Sequence, residues 1–390
     1  MKKKLNIAVL GSGFMGKAHS NAWLMAGKFF DVPFEPVLKI NFGTDMELTK
    51  DFADRWGYEE ITADWEEAVN RKDVDVIDIV TPTYIHKEMA LAAANAGKHI
   101  FCEKPCAVTY AQAKAMADAA RNAGIVHYLN HNYRRVPAVA YAKEMIERGK
   151  LGTIYHWIGT YLQDWIMDPN FPLTWHLQDK FAGGGPLFDL GSHSIDLARF
   201  LVGEIESVTA VSQTFTGERF LPGRGAATFA SGESLNSEKG QVTVDDACFL
   251  MAEFENGALG SIGTTRFAGG RKNHNTFEVY GSKGSLCFNF DQMNELQFCD
   301  MTEPDADQGF KTISVTNAVH PYCSAWWAPG HVIGYENTFF HAVADFLNAV
   351  STGKTIEPNF FDGEKITRTL EAAKLSNREG RKVKVAEINA

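Results

Sequence analysis

Residues 5–16 of the chain read LNIAVLGSGFMG. The first half of this stretch is an aliphatic run with a single polar interruption, which is typical of a strand buried on both faces of a parallel sheet. The second half forms the pattern GxGxxG with Gly11, Gly13 and Gly16, and the residues from Lys17 to Ala26 favour a helix. A strand, a glycine loop and a helix in this order predict the beginning of a doubly wound α/β domain.

The glycine loop predicts a binding site for a dinucleotide. Glycines let the backbone approach a pyrophosphate group closely, and the positive end of the following helix favours its negative charge. The alternative is a purely structural turn, because the same pattern also occurs without a ligand. The position between a strand and a helix favours the dinucleotide, and we expect cofactor contacts from Gly11, Gly13, Phe14, Met15 and Gly16.

The end of the second predicted strand bears on the choice of cofactor. This strand runs from Pro36 to Asn41, and in a dinucleotide site its end usually carries an acid that binds the adenosine ribose. Here Asn41 is followed by three uncharged residues, and the nearest acid is Asp45. No arginine follows closely that could hold a 2′-phosphate, so the sequence favours NAD over NADP.

Short strands and helices alternate through the first 130 residues, which is typical of a parallel sheet with helices on both faces. The elements predicted after the second strand are helices at 51–58 and 64–70, a strand at 74–80, a helix at 86–96, a strand at 99–102 and a helix at 111–124. Right-handed crossovers bring the carboxyl ends of these strands to the rim that holds the glycine loop. We therefore expect cofactor contacts at this rim from Thr81, Pro82, His86, Glu103 and Lys104. The alternative for Lys104 is a surface lysine before a proline turn.

The pattern changes after Gly149, where strands predominate. The predicted strands lie at 154–161, 207–216, 246–254, 259–265, 275–280 and 285–289, and helices follow at 335–350 and 363–376. Many strands with few helices predict a largely antiparallel sheet. We therefore expect an α/β dinucleotide-binding domain over residues 1–130 and an α+β substrate-binding and oligomerisation domain over residues 131–390. The stretch from Leu221 to Gly240 is rich in Gly and Ser, which predicts a mobile excursion.

One helix of the second half combines polar and apolar residues. Three glycines and a proline at 183–186 lead into a predicted helix that ends at Gly203. Asp189, His193 and Asp196 lie at i, i+4 and i+7 and share one face of this helix. The rest of its circumference is apolar, which favours a buried helix over a solvated polar stripe. Buried carboxylates and imidazoles need each other or a ligand as partners, so this face predicts a polar pocket, although Asp196 could instead brace the helix.

The composition excludes several classes of partner. A net charge of −10 without a long basic block argues against nucleic acid as a partner. No apolar run approaches the ~18 residues of a membrane helix, and the N-terminal run is too short for a signal peptide. Six scattered cysteines without a CxxC pair predict reduced thiols, a cytoplasmic location and no metal site. Three histidines are interpreted as structural residues rather than metal ligands: His131, His156 and His176.

Three motifs occur in one order along the chain: GxGxxG, Glu103-Lys104-Pro105 and Asp189-x3-His193-x2-Asp196. In this combination the sequence resembles the Gfo/Idh/MocA oxidoreductases over essentially its full length. Residues 132–138, 159–165 and 334–335 resemble the branch of levoglucosan dehydrogenases and glycoside 3-dehydrogenases. The resemblance implies a Rossmann domain followed by an open sheet that lines the substrate site and often mediates oligomers, so we expect a homo-oligomer.

The resemblance also implies roles for individual residues. Lys104 matches the family's active-site lysine, Asp189 and His193 match its carboxylate and base, and the Lys104-Pro105 peptide is commonly cis. Asn132 and Arg134 join the expected cofactor contacts. The expected lining of the substrate site is Lys104, Arg134, Gln163, Trp165, Asp189, His193 and Tyr335. Core packing is the alternative for Trp165 and Tyr335.

The chemistry of these residue types suits the oxidation of an alcohol. A histidine with a pKa of ~6.5 accepts a hydroxyl proton at neutral pH, and the ammonium group of Lys104 stabilises the developing alkoxide. We expect NAD-dependent oxidation of a secondary hydroxyl of a pyranose or glycoside, at C3, to a ketone. Two alternatives stay open: redox-neutral cleavage of a glycoside with NAD bound, and a sugar-responsive regulator without catalysis.

Overall fold

The structure, a computed structural model, describes residues 2–222 and 235–390. Its first six strands are β1 (Lys3–Leu10), β2 (Phe34–Phe42), β3 (Glu60–Thr62), β4 (Val76–Ile79), β5 (His99–Cys102) and β6 (His127–Leu129). They form one sheet in the order β3-β2-β1-β4-β5-β6, in which every pair is parallel. The helices of this part are α1 (Phe14–Phe29), α2 (Met46–Trp56), α3 (Trp65–Asn70), α4 (His86–Asn95) and α5 (Tyr110–Ala123). The predicted doubly wound sheet is confirmed.

The stretch that opens the sequence lies at the centre of this sheet. β1 pairs with β2 on one side and with β4 on the other, and its last four residues are fully buried. An apolar run fits this place because both faces of the strand are covered. The backbone then turns at Gly11 with a φ of 127°. A Cβ on Gly11 would lie 3.0 Å from Val80 Cγ2, so the turn requires a glycine there.

The remaining strands form a second, larger sheet and a hairpin. They are β7 (Ile154–Leu162), β8 (Ile205–Gln213), β9 (Glu218–Pro222), β10 (Leu235–Gln241), β11 (Ala247–Phe254), β12 (Leu259–Thr265), β13 (His274–Gly281), β14 (Gly284–Asn289), β15 (Glu295–Asp300), β16 (Lys311–Ser314) and β17 (Val383–Lys384). β9 and β10 pair with each other, and the others form a nine-stranded sheet in the order β16-β15-β14-β13-β7-β12-β11-β8-β17. Its neighbours are antiparallel except for the parallel pair β7 and β12, which confirms the predicted largely antiparallel sheet.

The helices of the second part are α6 (Pro137–Glu147), α7 (Asp179–Ala182), α8 (Pro186–Asp189), α9 (Gly191–Leu201), α10 (Tyr335–Thr352) and α11 (Phe360–Glu379). Helix α10 returns to the first sheet. Its Phe346 packs against Trp23 of α1 and Phe101 of β5, with ring centres 5.9 and 5.3 Å away. Helix α11 contacts both α5 and β8. Residues beyond 130 therefore contribute to the core of the first sheet, and the two parts share packed elements.

The predicted excursion from Leu221 to Gly240 is wrong at both ends, where the chain forms β9 and β10. A Cβ on Gly240 would lie 2.5 Å from Leu173 Cδ2, so this hairpin packs on the segment that precedes α7. The two segments share a small apolar core made of Ile166, Phe171, Leu173, Leu177, Val242 and Val244. Residues 223–234 of the predicted excursion lie outside the described residues.

Three further features concern partners and redox state. Among residues 2–222 and 235–390, no helix has both the length and the apolar character that a bilayer crossing requires. The same residues contain no group of three or more His, Cys, Asp or Glu side chains placed to hold a metal ion. All six cysteines lie within the described ranges, and none forms a disulfide there.

The packing of α10 on the first sheet can be tested with Phe346→Ala. Phe346 is fully buried, and truncation of a buried phenylalanine costs about 3–5 kcal/mol of unfolding free energy, because apolar contacts are lost and a cavity remains. Urea unfolding followed by tryptophan fluorescence measures this loss. Val332→Ala, at a position that is 70% exposed, is the control and is expected to leave the midpoint unchanged. Equal midpoints for both variants would contradict the packing.

Candidate active site

An ion pair joins the two parts of the chain at the carboxyl rim of the first sheet. β5 ends at Cys102, and Glu103, Lys104 and Pro105 follow, with a cis peptide bond between the last two. Lys104 Nζ lies 2.7 Å from Asp189 Oδ1 and 3.2 Å from the main-chain oxygen of Asp189. The fold thus brings together a lysine and a carboxylate that are 85 positions apart in the sequence.

Asp189 ends a short helix and does not lie within a long one. α8 stops at Asp189 and α9 begins two residues later, so the prediction of one continuous helix is wrong here. The His193 amide donates to the main-chain oxygen of Leu190. The main-chain oxygen of Asp189 accepts from Lys104 Nζ and Ser192 Oγ. The main-chain hydrogen bonds of the helix therefore skip the Asp189 carbonyl, which accepts from the side chains of Lys104 and Ser192 instead.

A buried arginine completes the surroundings of Asp189. Arg266 directly follows β12, and its Nη2 lies 2.7 Å from Asp189 Oδ2. Burial alone would raise the pKa of Asp189, but the charges of Lys104 and Arg266 outweigh it and hold that pKa well below its usual range. Asp189 is therefore a carboxylate that bridges two cations. Arg266 was not predicted from the sequence, where its one available signal is a charged residue directly after a predicted strand.

His193 lies on α9 and is 4% exposed. Its ring centre is 4.6 Å from that of Tyr133 and 5.4 Å from that of His131, which meets it edge-on. Burial, with the nearby charge of Lys104, lowers the pKa of His193 well below its ordinary value, so the imidazole is neutral at neutral pH. Within the described part of the chain its Nδ1 is buried and has no hydrogen-bond partner. A neutral imidazole beside an ammonium group can accept a proton from an alcohol.

A chain of hydrogen bonds links the surroundings of His193 to two predicted substrate residues. Tyr133 and Tyr161 join their hydroxyl groups at 2.7 Å, and the Tyr161 hydroxyl donates to Asn273 Oδ1 at 2.6 Å. Gln163 Nε2 donates to the same oxygen at 2.8 Å, and Trp165 Nε1 donates to Gln163 Oε1 at 2.7 Å. The structure therefore brings Gln163 and Trp165 into one network, and it adds Asn273, which was not predicted from the sequence. We call these five residues the polar wall.

Tyr335 connects the site to the glycine loop. It is the first residue of α10 and is half-buried. Its ring stacks with that of Phe14 at 6.5 Å and meets Phe339 at 5.0 Å. Burial raises the pKa of the Tyr335 hydroxyl well above its ordinary value, with further contributions from Tyr133, Glu103 and Asp189. The tyrosine thus contacts the loop predicted to hold a dinucleotide and lies within electrostatic range of Asp189.

Glu103 is directed into the interior of the first part. His19 Nε2 lies 2.8 Å from Glu103 Oε1, and His19 Nδ1 lies 2.9 Å from Asp78 Oδ1. The Lys104 amide donates to Glu103 Oε2 at 3.1 Å. Burial alone would lower the pKa of His19, but Asp78 and Glu103 outweigh it and raise the pKa to about 10. A buried imidazolium therefore fixes the residue that precedes Lys104.

Arg134 is a predicted site residue that lies in a cluster of buried ion pairs. Its Nη2 lies 2.6 Å from Asp196 Oδ1 and 3.2 Å from Asp362 Oδ1. Two buried carboxylates thus pair with its charge, and the expected contact of Arg134 with substrate or cofactor stays a prediction. Asp196 accordingly braces α9 through this ion pair. The neighbouring Asn132 donates to Thr338 Oγ1 of α10 at 2.9 Å.

The other rim residues of the first sheet have mixed roles. Thr81 and Pro82 follow β4 at its carboxyl end. His86 is buried, and its two ring nitrogens lie 2.8 Å from the main-chain oxygen of Thr81 and 3.1 Å from that of Pro105. Because burial lowers the pKa of His86 and a neutral imidazole has one N–H, the ring donates to one of these two oxygens and lies between the two rim segments.

The glycine loop fits a dinucleotide. α1 begins after Gly13 with no side-chain cap and no acidic residue in its first turn. A Cβ on Gly13 would meet no atom within 4 Å, so the space at the helix N-terminus is open, whereas one on Gly16 would lie 2.7 Å from the Gly11 oxygen. Free amides at the positive end of a helix suit a phosphate group. Asp45 caps α2 with Oδ1, which accepts hydrogen bonds from the amides of residues 47 and 48.

Two family profiles match consecutive parts of the chain. The profile of the oxidoreductase family with an NAD-binding Rossmann fold matches residues 5–131. The profile of the GFO/IDH/MocA C-terminal domain matches residues 139–287. The first match covers the parallel sheet and the second covers α8, α9 and most of the strands around the polar wall.

Individual proteins match over the same residues and beyond. The chain is 43% identical to the levoglucosan dehydrogenase of Pseudarthrobacter phenanthrenivorans over 390 residues, which is 100% of both chains. It is 27% identical to the D-glucoside 3-dehydrogenase of Escherichia coli over 263 residues, which is 65% of this chain and 68% of the relative. A structure of levoglucosan dehydrogenase in complex with NADH and levoglucosan matches with a TM-score of 0.93 and 42% identity, covering 99% of this chain and 100% of that one.

The raised pKa of His19 predicts a pH dependence of stability. Because the folded-state pKa of about 10 exceeds the ordinary value of 6.5, the stabilisation is complete below pH 6.5 and is lost as the pH rises towards 10. We expect His19→Asn to lower the urea midpoint strongly at pH 7, and the gap to the wild type to narrow between pH 7.5 and 9.5. His86→Asn is the control, because burial lowers the pKa of His86 and it does not titrate in this window. A gap that stays constant would contradict the buried imidazolium.

Proposed function

The chain belongs to the GFO/IDH/MocA family of NAD-binding oxidoreductases, and on that premise we propose that it oxidises a secondary hydroxyl group of a pyranose or glycoside, at C3, to a ketone. The observation that carries the proposal is the cluster of Lys104, Asp189 and His193. An ammonium, a carboxylate and a neutral imidazole in one site are the groups that removal of a proton from an alcohol requires.

Each residue of the cluster has a distinct task in this proposal. His193 accepts the hydroxyl proton at Nε2, since its Nδ1 is buried. Lys104 donates a hydrogen bond to the same substrate oxygen and stabilises the negative charge that develops there. Asp189 holds the ammonium group in place through two of its oxygens. NAD, when bound, supplies the acceptor for the hydride that leaves the carbon.

The polar wall supports a sugar as substrate. A sugar ring offers an apolar face and several directional hydroxyl groups, so its site needs aromatic surfaces beside fixed hydrogen-bonding groups. Trp165 is half-buried, and its indole N–H donates to Gln163, so the polar wall presents an aromatic ring beside a fixed amide. Gln163 and Tyr335 are also half-buried and supply polar groups near the aromatic rings. We propose that these three residues line the substrate site together with Lys104, Asp189 and His193.

The glycine loop supports NAD as the cofactor. We propose that Gly11, Gly13, Phe14, Met15 and Gly16 hold the pyrophosphate and that Thr81, Pro82 and Asn132 border the cofactor further along the rim. In this proposal Glu103 acts from beneath the rim, where it fixes Lys104. The absence of an arginine shortly after Asn41 favours NAD over NADP.

Six cysteines without disulfides favour a reducing compartment, so we propose a cytoplasmic location.

The names of two relatives support the substrate class and the position of attack. The levoglucosan dehydrogenase that matches the full length of the chain acts on an anhydro sugar by its name. The D-glucoside 3-dehydrogenase names a glucoside and its third carbon. We therefore propose levoglucosan and glucosides as the first substrates to test, with NMR of the product to identify the oxidised carbon.

Replacement of the central residues tests the proposed roles. We expect Lys104→Ala and His193→Ala each to lower kcat at least ~100-fold, because one loses charge stabilisation and the other loses the base. NADH formation at 340 nm with levoglucosan, glucose and aryl glucosides measures the rate. Lys365→Ala removes a surface lysine that pairs with Glu204 and is expected to keep full activity. Wild-type rates in both active-site variants would contradict these assignments.

The same assay separates the proposal from two other functions. Redox-neutral glycoside cleavage predicts free sugar as product with NAD still bound and no net release of NADH. A non-catalytic regulator predicts binding of sugar without turnover of any polyol. Stoichiometric NADH formation would exclude both alternatives.

We also propose that the chain forms a homo-oligomer through the outer face of its nine-stranded sheet. Helices cover the inner face, while Ile158, Val211, Phe249, Met251 and Leu259 on four of its strands are 40 to 70% exposed. Phe249 of β11 pairs directly with Val211 of β8, so these two exposed side chains lie next to each other on one face of the sheet. A contiguous apolar surface of this kind favours an interface with a second copy over exposure to water.

Phe249→Asp tests the proposed interface. A carboxylate in the middle of an apolar interface has no partner, so we expect the oligomer to dissociate while the fold persists. Light scattering after size-exclusion chromatography measures the mass. Val319→Asp, which lies outside the sheet and is 88% exposed, is the control and is expected to keep the wild-type mass. An unchanged mass for Phe249→Asp would contradict this face as the interface.

A further inference from the structure

Arg266 is buried beside the Lys104–Asp189 pair and has no task in the function proposed above. Its side chain is 1% exposed, and its Nη2 lies 2.7 Å from Asp189 Oδ2, while Lys104 Nζ lies 2.7 Å from Oδ1. The lysine and the arginine thus hold opposite oxygens of one carboxylate. The guanidinium carbon of Arg266 is also 4.8 Å from the ring centre of Trp165. Arg266 therefore contacts both the central carboxylate and the polar wall.

Arg266 occupies the side-chain oxygen of Asp189 that Lys104 does not contact. Lys104 uses two donors, one on Oδ1 and one on the main-chain oxygen of Asp189. An ammonium group has three donors, so one donor remains for a substrate oxygen. Without Arg266, Oδ2 would be a charged acceptor without its cation, which is unfavourable in this partly buried site. The ammonium group would then be drawn to Oδ2 and away from the substrate.

The neighbouring groups are not arranged to replace Arg266. His176 lies near Asp189, but burial, with the charge of Arg266, lowers its pKa to about 3, so it carries no positive charge at neutral pH. The nearby carboxylate Asp245 accepts hydrogen bonds from the amides of Gly185 and Leu187 at 2.7 and 2.9 Å. Among the described residues, Arg266 and Lys104 are the cations that form ion pairs with Asp189.

We propose that Arg266 is a positioning residue of the oxidation, which acts through Asp189 to keep one donor of Lys104 directed at the substrate oxygen. This inference rests on the proposed function. The contact with Trp165 couples the same carboxylate to the wall that orients the sugar. In this proposal Arg266 fixes the ammonium group of Lys104 and the polar wall relative to each other.

A double-mutant cycle tests whether Arg266 acts through Asp189. We expect Arg266→Met to lower kcat on the preferred sugar about 100-fold, the size of effect seen when one fixed electrostatic group is removed. The KM for NAD is expected to stay within threefold of the wild type, since the glycine loop is untouched. Arg266→Lys keeps the positive charge and is expected to recover at least a tenth of the wild-type kcat. The double variant with Asp189→Asn and Arg266→Met is expected to have a kcat within threefold of that of the slower single variant.

Arg219→Met is the matched control, because Arg219 is also fully buried but donates to the main-chain oxygens of Ile166, Asp168 and Phe171. Its effect on kcat is expected to multiply with that of Asp189→Asn. The inference would be overturned if the losses of kcat in Arg266→Met and Asp189→Asn multiplied in the double variant. It would also be overturned if the kcat of Arg266→Met lay within threefold of the wild type. Either result would leave the proposed function standing. If Arg266→Met does not fold, a kcat of Arg266→Lys no higher than that of Lys104→Ala overturns it. A wild-type protein that oxidises no sugar would overturn both.

Discussion

The ion pair between Lys104 and Asp189 is the contact on which the rest of the site depends. It joins the end of β5 to the end of α8, so it forms only when the parallel sheet and the larger sheet have packed together. Each partner would be unfavourable alone in this partly buried place, and their pairing compensates for the water that both lose. The same packing places His193 beside the ammonium group and Tyr335 beside the glycine loop.

Two further ionic clusters hold the elements that carry this pair. His19 lies between Asp78 and Glu103 and so fixes the backbone before Lys104. Arg134 lies between Asp196 and Asp362 and so fixes α9, which carries His193, against α11. Loss of one member of a buried ion pair leaves an uncompensated charge, which is strongly destabilising. The clusters thus limit the movement of both sides of the site, as a reaction that depends on aligned atoms requires.

Local sequence patterns predicted much of this arrangement. Residues 5–16 specify a buried strand, a glycine turn and a helix, because each of these features is encoded within a few neighbouring residues. Lys104, Asp189 and His193 also emerged from the sequence, through their motifs and their order along the chain. Arg266 and Asn273 did not, because each is an isolated polar residue near a strand end, with no periodicity or spacing to mark it. Their positions follow from the pairing of β7 with β12 and β13.

The sequence by itself determined the parallel sheet, the glycine loop and the identity of the groups able to move a proton, since strand periodicity and turn chemistry act over short distances along the chain. Only the tertiary structure decided which charges pair. Arg134 was expected near substrate and cofactor, but the fold places Asp196 and Asp362, which lie 62 and 228 positions away in sequence, against its guanidinium. Arg266 pairs with a carboxylate 77 positions away. The physical reason is that a buried charge takes the nearest opposite charge in space, and nearness in space is set by packing and not by spacing along the chain.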